Sequence, residues 1–113
     1  MKNYTLVFAR EHKSTFDSIK DGSKRIETRA ATTKYRDIKA GDILTMSCQG
    51  EKFEKKVKNV FHFKSLEDLF SKFEPNQIKP GVKSTEEMTK IYYSFPHYEE
   101  KIAKDGILAF ELE

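Results

Sequence analysis

Apolar positions recur at two spacings along the 113 residues, and each spacing predicts a different kind of element. Over 3–9, Tyr4, Leu6 and Phe8 share one face at the two-residue period of a strand, while Val7 points the other way. Phe16 and Ile19 lie on one side of a short helix predicted over 15–21, with Ser14 as its cap. Gly22 follows as the left-handed residue on which a helix closes at low cost. A second strand is predicted from Lys24 to Ala30 and a third over 42–48, with Gln49-Gly50 as a hairpin turn. The return strand, 51–63, puts Phe53, Val57, Phe61 and Phe63 on its odd face.

Leu66, Leu69, Phe70 and Phe73 then recur at helical spacing behind Ser65, and Pro75 ends that run. Residues 75–83, with two prolines and a glycine, read as a loop. Ser84 and Glu87 form a capping box for a helix whose stripe is Met88, Ile91, Tyr92 and Phe95. One or two further helical turns fit His97 to Lys104, and Asp105-Gly106 turns into a last strand, Ile107 to Leu112.

Strands in runs with inserted helices predict an α+β domain, because a doubly wound sheet needs regular βα alternation. Five or six short strands can close a β-barrel, leaving helices 14–21, 65–73 and 84–95 outside it. The expected core is Leu6, Phe8, Ile26, Ile43, Leu44, Leu69, Ile91, Leu108 and Phe110. The terminal strand is expected to pair near the first ones. The length allows one domain, 1–113, with a single modest core.

Charge and cysteine content narrow the function classes only slightly. The net charge of +3 permits an anionic partner without demanding one, since the 21 Lys and Arg are scattered. Cys48 is the single cysteine, so an internal disulfide or a cysteine-based metal site is excluded. His12, His62 and His97 show no metal-ligand spacing, and neither a metal nor a cofactor is expected. No stretch is long and apolar enough for a membrane span, and the polar N-terminus does not fit a secretory signal, so the expectation is cytoplasmic, away from membranes.

Candidate chemistry gathers in 22–46, GSKRIETRAATTKYRDIKAGDILTM. Lys24, Arg25, Glu27 and Arg29 crowd a predicted strand where β-branched and aromatic residues are usual. The plain reading is a solvated edge strand of mixed charge. Glu27 and Arg29 share a face, while strict alternation puts Lys24 opposite, so the three meet only if the lead-in at Gly22-Ser23 bends or the strand bulges. A partly desolvated Lys24 can serve as base or nucleophile, or stay charged and hold a phosphate or base carbonyl. The connection 31–40 adds Lys34, Tyr35 and Arg36 and is too charged to be buried. Among the other tyrosines, Tyr93 lies off the apolar stripe and is the better stacking candidate, whereas Tyr92 is expected to pack.

The spacing Phe16-x-x-Ile19-x-x-Gly22-x-Lys24-x-x-Glu27-x-Arg29, followed by Ile38-x-x-Gly41-Asp42-x-Leu44, resembles the signature of the ASCH superfamily. The C-terminal GILAFELE is compatible with it. The resemblance implies a PUA-like barrel whose mouth suits RNA or a modified nucleoside. Lys24, Glu27, Arg29, Lys34, Tyr35, Arg36 and Tyr93 are the candidate contacts. One branch of the superfamily, amidohydrolases of N4-acetylcytidine, uses a lysine, a threonine three later and a distal acid. Lys24 matches the lysine, Glu27 stands where the threonine would be, and Glu86 and Glu87 are the candidates for the acid. A binding domain is therefore weighed against a small hydrolase or ribonuclease built on Lys24 and Glu27, and against a protein-interaction domain.

Overall fold

The computed structural model describes all residues, Met1 to Glu113. Its elements run β1 (Asn3–Val7), a 3₁₀ turn (Arg10–His12), α1 (Lys13–Lys20), β2 (Ile26–Ala30), β3 (Ile43–Cys48), β4 (Glu51–Phe63), α2 (Leu66–Lys72), α3 (Pro75–Ile78), α4 (Thr85–Ser94), α5 (Tyr98–Asp105) and β5 (Ile107–Leu112). The strands form one sheet in the order β1-β3-β4-β5-β2, with β1 parallel to β3 and every other neighbour antiparallel. The fold is α+β as expected, but the sheet curls into an open half-barrel and five helices accompany it. β1 and β2 are its two edges, and no backbone ladder joins them.

The curl is produced within β4. Its first half pairs with β3 and its second half with β5, and the register shifts between Val57 and Asn59. One extra residue reverses the side-chain alternation beyond it. Phe53, Val57 and Val60 therefore face one core cluster, while Phe61 and Phe63 face another. The single odd face expected from the sequence is thus split in two. The inner cluster gathers Leu6, Phe8, Leu44, Met46, Leu108 and Phe110 under α1, whose Phe16 and Ile19 are fully buried. The second packs Ile26, Ile107 and Ala109 on the other face against the residues of α2 to α5, among them Leu69, Met88, Tyr92 and Ile102. Of the expected core, Ile43 and Ile91 are only half-buried.

Several boundaries differ from expectation for local reasons. α1 begins at Lys13, directly after the 3₁₀ turn, so Ser14 lies inside it and supplies no cap. Gly22 follows the α1 C-cap with φ 87°, as the closing residue should. The expected loop at 75–83 contains α3, one turn started by Pro75 at the first helical position and by a capping box between Glu74 and Gln77. His97 to Lys104 becomes a full helix, α5. In the connection 31–40 the charges are exposed, yet Ala31 and Ile38 insert into the inner core. Asp42 ties this connection down, accepting the Lys2 N–H at 3.0 Å and the Lys39 N–H at 2.9 Å. No helix is long and apolar enough to cross a membrane.

Candidate nucleotide cleft

A cleft of about 440 Å³ lies where the half-barrel fails to close. Phe8 and its neighbours at the end of β1 line one side, Glu27, Thr28 and Arg29 of β2 the other, and residues of α3, α4 and α5 complete it. Register explains why the charges face inward. Glu27 stands opposite Phe110 and Arg29 opposite Leu108, and directly opposed residues share a face. Phe110 and Leu108 belong to the inner core, so Glu27 and Arg29 point into the curl.

Lys24 joins them because it precedes β2 instead of alternating within it. The backbone after Gly22 returns to α1, the Lys24 N–H donating to the Ser18 carbonyl at 2.9 Å. From there the side chain runs inward, and its ammonium lies 3.2 Å from Glu27 Oε1. It also donates to the carbonyls of Ile26 and Ile78. Arg29 donates from Nε and Nη2 to Glu27 Oε2, at 3.1 and 3.0 Å. Lys24 and Glu27 are only 3% and 5% exposed. The edge strand is real and Arg25 is exposed, but Lys24 and Glu27 are buried and Arg29 is half-buried, which overturns both the solvated-edge reading and the expectation of an only partly desolvated lysine.

These contacts fix the charge states. Burial pushes the Lys24 pKa below the usual lysine value, against the pull of Glu27. Burial alone would raise Glu27, but the charges of Lys24 and Arg29 outweigh it and hold its carboxyl below the usual range. An ammonium has three protons to donate, and Lys24 has three acceptors. The arrangement is that of a charged ammonium with its donors committed.

Arg29 also spans the gap between the sheet edges. Its guanidinium carbon lies 5.1 Å from the centre of the Phe8 ring and 5.6 Å from that of Tyr35, within cation–π range. Its Nη1 donates to the Tyr35 hydroxyl at 3.4 Å. The structure thus brings Lys24, Glu27, Arg29 and Tyr35 together, with Tyr35 behind Arg29. Lys34 lies 5.5 Å over the outer face of this group, on the Tyr35 ring, and is exposed. Arg36 is turned away, donating to the Ala31 carbonyl at 2.8 Å and to Asp105 Oδ1 at 3.1 Å.

Of the two tyrosines on α4, Tyr92 packs in the second core cluster, as expected. Tyr93, 43% exposed, borders a separate shallow groove between α2 and α4. Tyr92 lines the cleft instead, and its hydroxyl meets Thr28 Oγ1 at 2.5 Å. Burial holds the Tyr92 pKa well above the usual value for a phenol. Tyr98, one of the tyrosines whose flat faces suit base stacking, also lines the cleft, as do Phe95 and His12, which were missed as contacts in the sequence. Only the clustering of aromatics at 92–98 hinted at them. Glu86 and Glu87 lie away from it: Glu86 borders the α2–α4 groove, and Glu87 accepts the Lys83 N–H.

The ASCH domain family matches residues 11–113, nearly the whole chain. The chain belongs to the ASCH family. Whole-chain likeness agrees with that membership. The crystal structure of hypothetical protein PH0355 superposes with a TM-score of 0.84 at 36% identity, covering 100% of this chain and 98% of that one. The solution NMR structure of protein PF0455 from Pyrococcus furiosus gives 0.75 at 33% identity, covering 98% and 96%. No curated protein matches the sequence significantly. Within the ASCH signature read from the sequence, the Gly-x-Lys-x-x-Glu-x-Arg run builds the cleft wall, and the Gly-Asp pair serves the fold through the two backbone N–H groups on Asp42.

Proposed function

We propose that this ASCH domain binds a nucleotide unit in the cleft, as part of single-stranded RNA or as a modified nucleoside. The observation that carries the reading is the pairing of a buried Lys24–Glu27–Arg29 group with an aromatic wall in one cavity between the sheet edges. A volume near 440 Å³ lies within the ordinary range for small-ligand sites. Phe95 and Tyr98, half-buried on the cleft wall, offer rings for a base, and single-stranded RNA is commonly read by stacking plus hydrogen bonds to base edges. Glu27, ionised and fixed on both sides, is placed to accept a base N–H. Its two oxygens have about four acceptor positions, and Lys24 and Arg29 take three.

The hydrolase reading gives Lys24 the reactive role. It has less support, because the ammonium is committed to three acceptors and neither Glu86 nor Glu87 lines the cleft. Thermal shift across nucleosides, nucleotides and short RNAs tests the proposal, with N4-acetylcytidine included and its products followed by chromatography. A ligand at a hundred times its Kd adds about 2.7 kcal/mol of stability, a readily measured rise in Tm. Tyr98→Ala should weaken binding by the loss of one stacking face, roughly 1–3 kcal/mol. A full panel without any shift would sink the proposal, and turnover of N4-acetylcytidine would move Lys24 to a catalytic role.

A further inference from the structure

We infer that the cleft is built for the phosphate of a nucleotide as well as its base, with Lys79 as the residue that meets the phosphate. This rests on the nucleotide reading of the same site. Three cations line the cleft, Lys24, Arg29 and Lys79, and Glu27 is the only carboxylate there. Glu27 answers Lys24 and Arg29. Lys79 is half-buried at the end of α3 and has no acidic partner. Its ammonium is held over the cavity by one neutral contact, Thr15 Oγ1 at 2.9 Å. Two of its three protons therefore stay free for a ligand. A half-buried cation without a counter-charge, in a cavity that already holds an excess of positive charge, favours an anion.

The remaining hydrogen-bonding groups agree. Thr28 and Tyr92 share one hydrogen bond between two hydroxyls, which leaves one O–H to donate. The Tyr98 hydroxyl accepts from the Ala30 N–H at 3.4 Å and keeps its own proton. Glu27, the only carboxylate of the cleft, keeps one acceptor position. The free ammonium protons of Lys79 and these hydroxyls suit a ligand that carries anionic acceptors. A nucleotide phosphate has that chemistry, whether it comes from a free nucleotide or from an RNA chain.

The test titrates the full chain with the four ribonucleosides, their 5′- and 3′-monophosphates, inorganic phosphate and a short single-stranded RNA. At least one monophosphate should bind about tenfold to a hundredfold more tightly than its nucleoside, the range for a charge-assisted hydrogen bond. Lys79→Gln should bring that ratio close to one, and Lys79→Arg should largely keep it. Melting curves check that both variants fold. RNA bound more tightly than its mononucleotide assigns the phosphate to a chain and equal affinity assigns it to a free nucleotide, both in support. Nucleosides bound as tightly as their monophosphates, or a ratio unchanged by Lys79→Gln, would overturn the inference and leave the cleft reading standing. No binding by any probe would remove both.

Discussion

Lys24 shows how much one side chain's role depends on its surroundings. A surface lysine would cost almost nothing to remove, and its neighbours in sequence gave no warning of burial. Here its ammonium is the donor for two backbone carbonyls and one carboxylate, all away from water. Lys24→Met should cost about 3–5 kcal/mol of stability by denaturant unfolding, the range for breaking a buried ion pair. A loss below 1 kcal/mol would mean that the ammonium is not the tie between β2 and α3. Glu27 adds a pH dependence whose sign follows from its lowered pKa. The folded chain holds this proton less tightly than the unfolded chain does, so the stabilisation is complete above the unfolded value, about 4.5. It is lost as pH falls from there towards the folded value. Glu27→Gln should flatten that part of the acid limb in a plot of stability against pH, while lowering stability at neutral pH because Lys24 and Arg29 lose their shared anion. An acid limb unchanged in shape would assign the dependence to other carboxylates, such as Asp42.

At the scale of elements, the sequence was most legible where one period ran uninterrupted. β1, β3 and β5 alternate cleanly or are buried throughout, and their extents follow directly from the residues. The caps of α2 and α4, Ser65 and Ser84, accept the backbone N–H groups that their spacing promised. β4 was legible as a strand but not as a bent one. Nothing in its lysine-rich middle marks the register shift, which is decided by pairing with β3 on one half and β5 on the other. The convergence of Lys24 with Glu27 and Arg29 was legible only as a condition, met because the chain turns at Gly22 before the ladder starts. Gly106 is the position where an element depends on one residue type. It joins α5 to β5 at φ 83° and ψ −165°, a region essentially limited to glycine. A β-carbon there would stand 2.3 Å from the Phe63 carbonyl oxygen. Gly106→Ala should therefore cost on the order of 3 kcal/mol or prevent folding. A variant within 0.5 kcal/mol of the parent, the ordinary range for surface changes, would show that the α5–β5 junction relaxes freely.

For the molecule as a whole, the open barrel and the mild charge belong to one argument about how RNA would be held. The sequence's net charge of +3 gave no direction, because a sum over scattered residues cannot show which ones face a common space. The fold resolves part of that charge into a local excess in the gap between β1 and β2, where Lys79 is free while Lys24 and Arg29 are engaged with Glu27. Outside the cleft the only lysines paired with acids are Lys13, with Asp17 and Glu51, and Lys20, with Glu51. Binding confined to the cleft should neutralise one or two phosphates, with affinity coming mainly from stacking and hydrogen bonds inside it. Each phosphate neutralised on a single strand contributes a slope of about −0.7 to the logarithm of the binding constant against the logarithm of salt concentration. Two phosphates predict roughly a sevenfold loss of affinity between 50 and 200 mM salt for a short single-stranded RNA. Lys79→Gln should lower the slope by about 0.7, whereas Tyr98→Ala should weaken binding at every salt concentration with the slope unchanged. A thousandfold loss over the same range would mean that about seven phosphates are engaged along an extended basic surface, and the cleft would then be a minor part of the RNA interface.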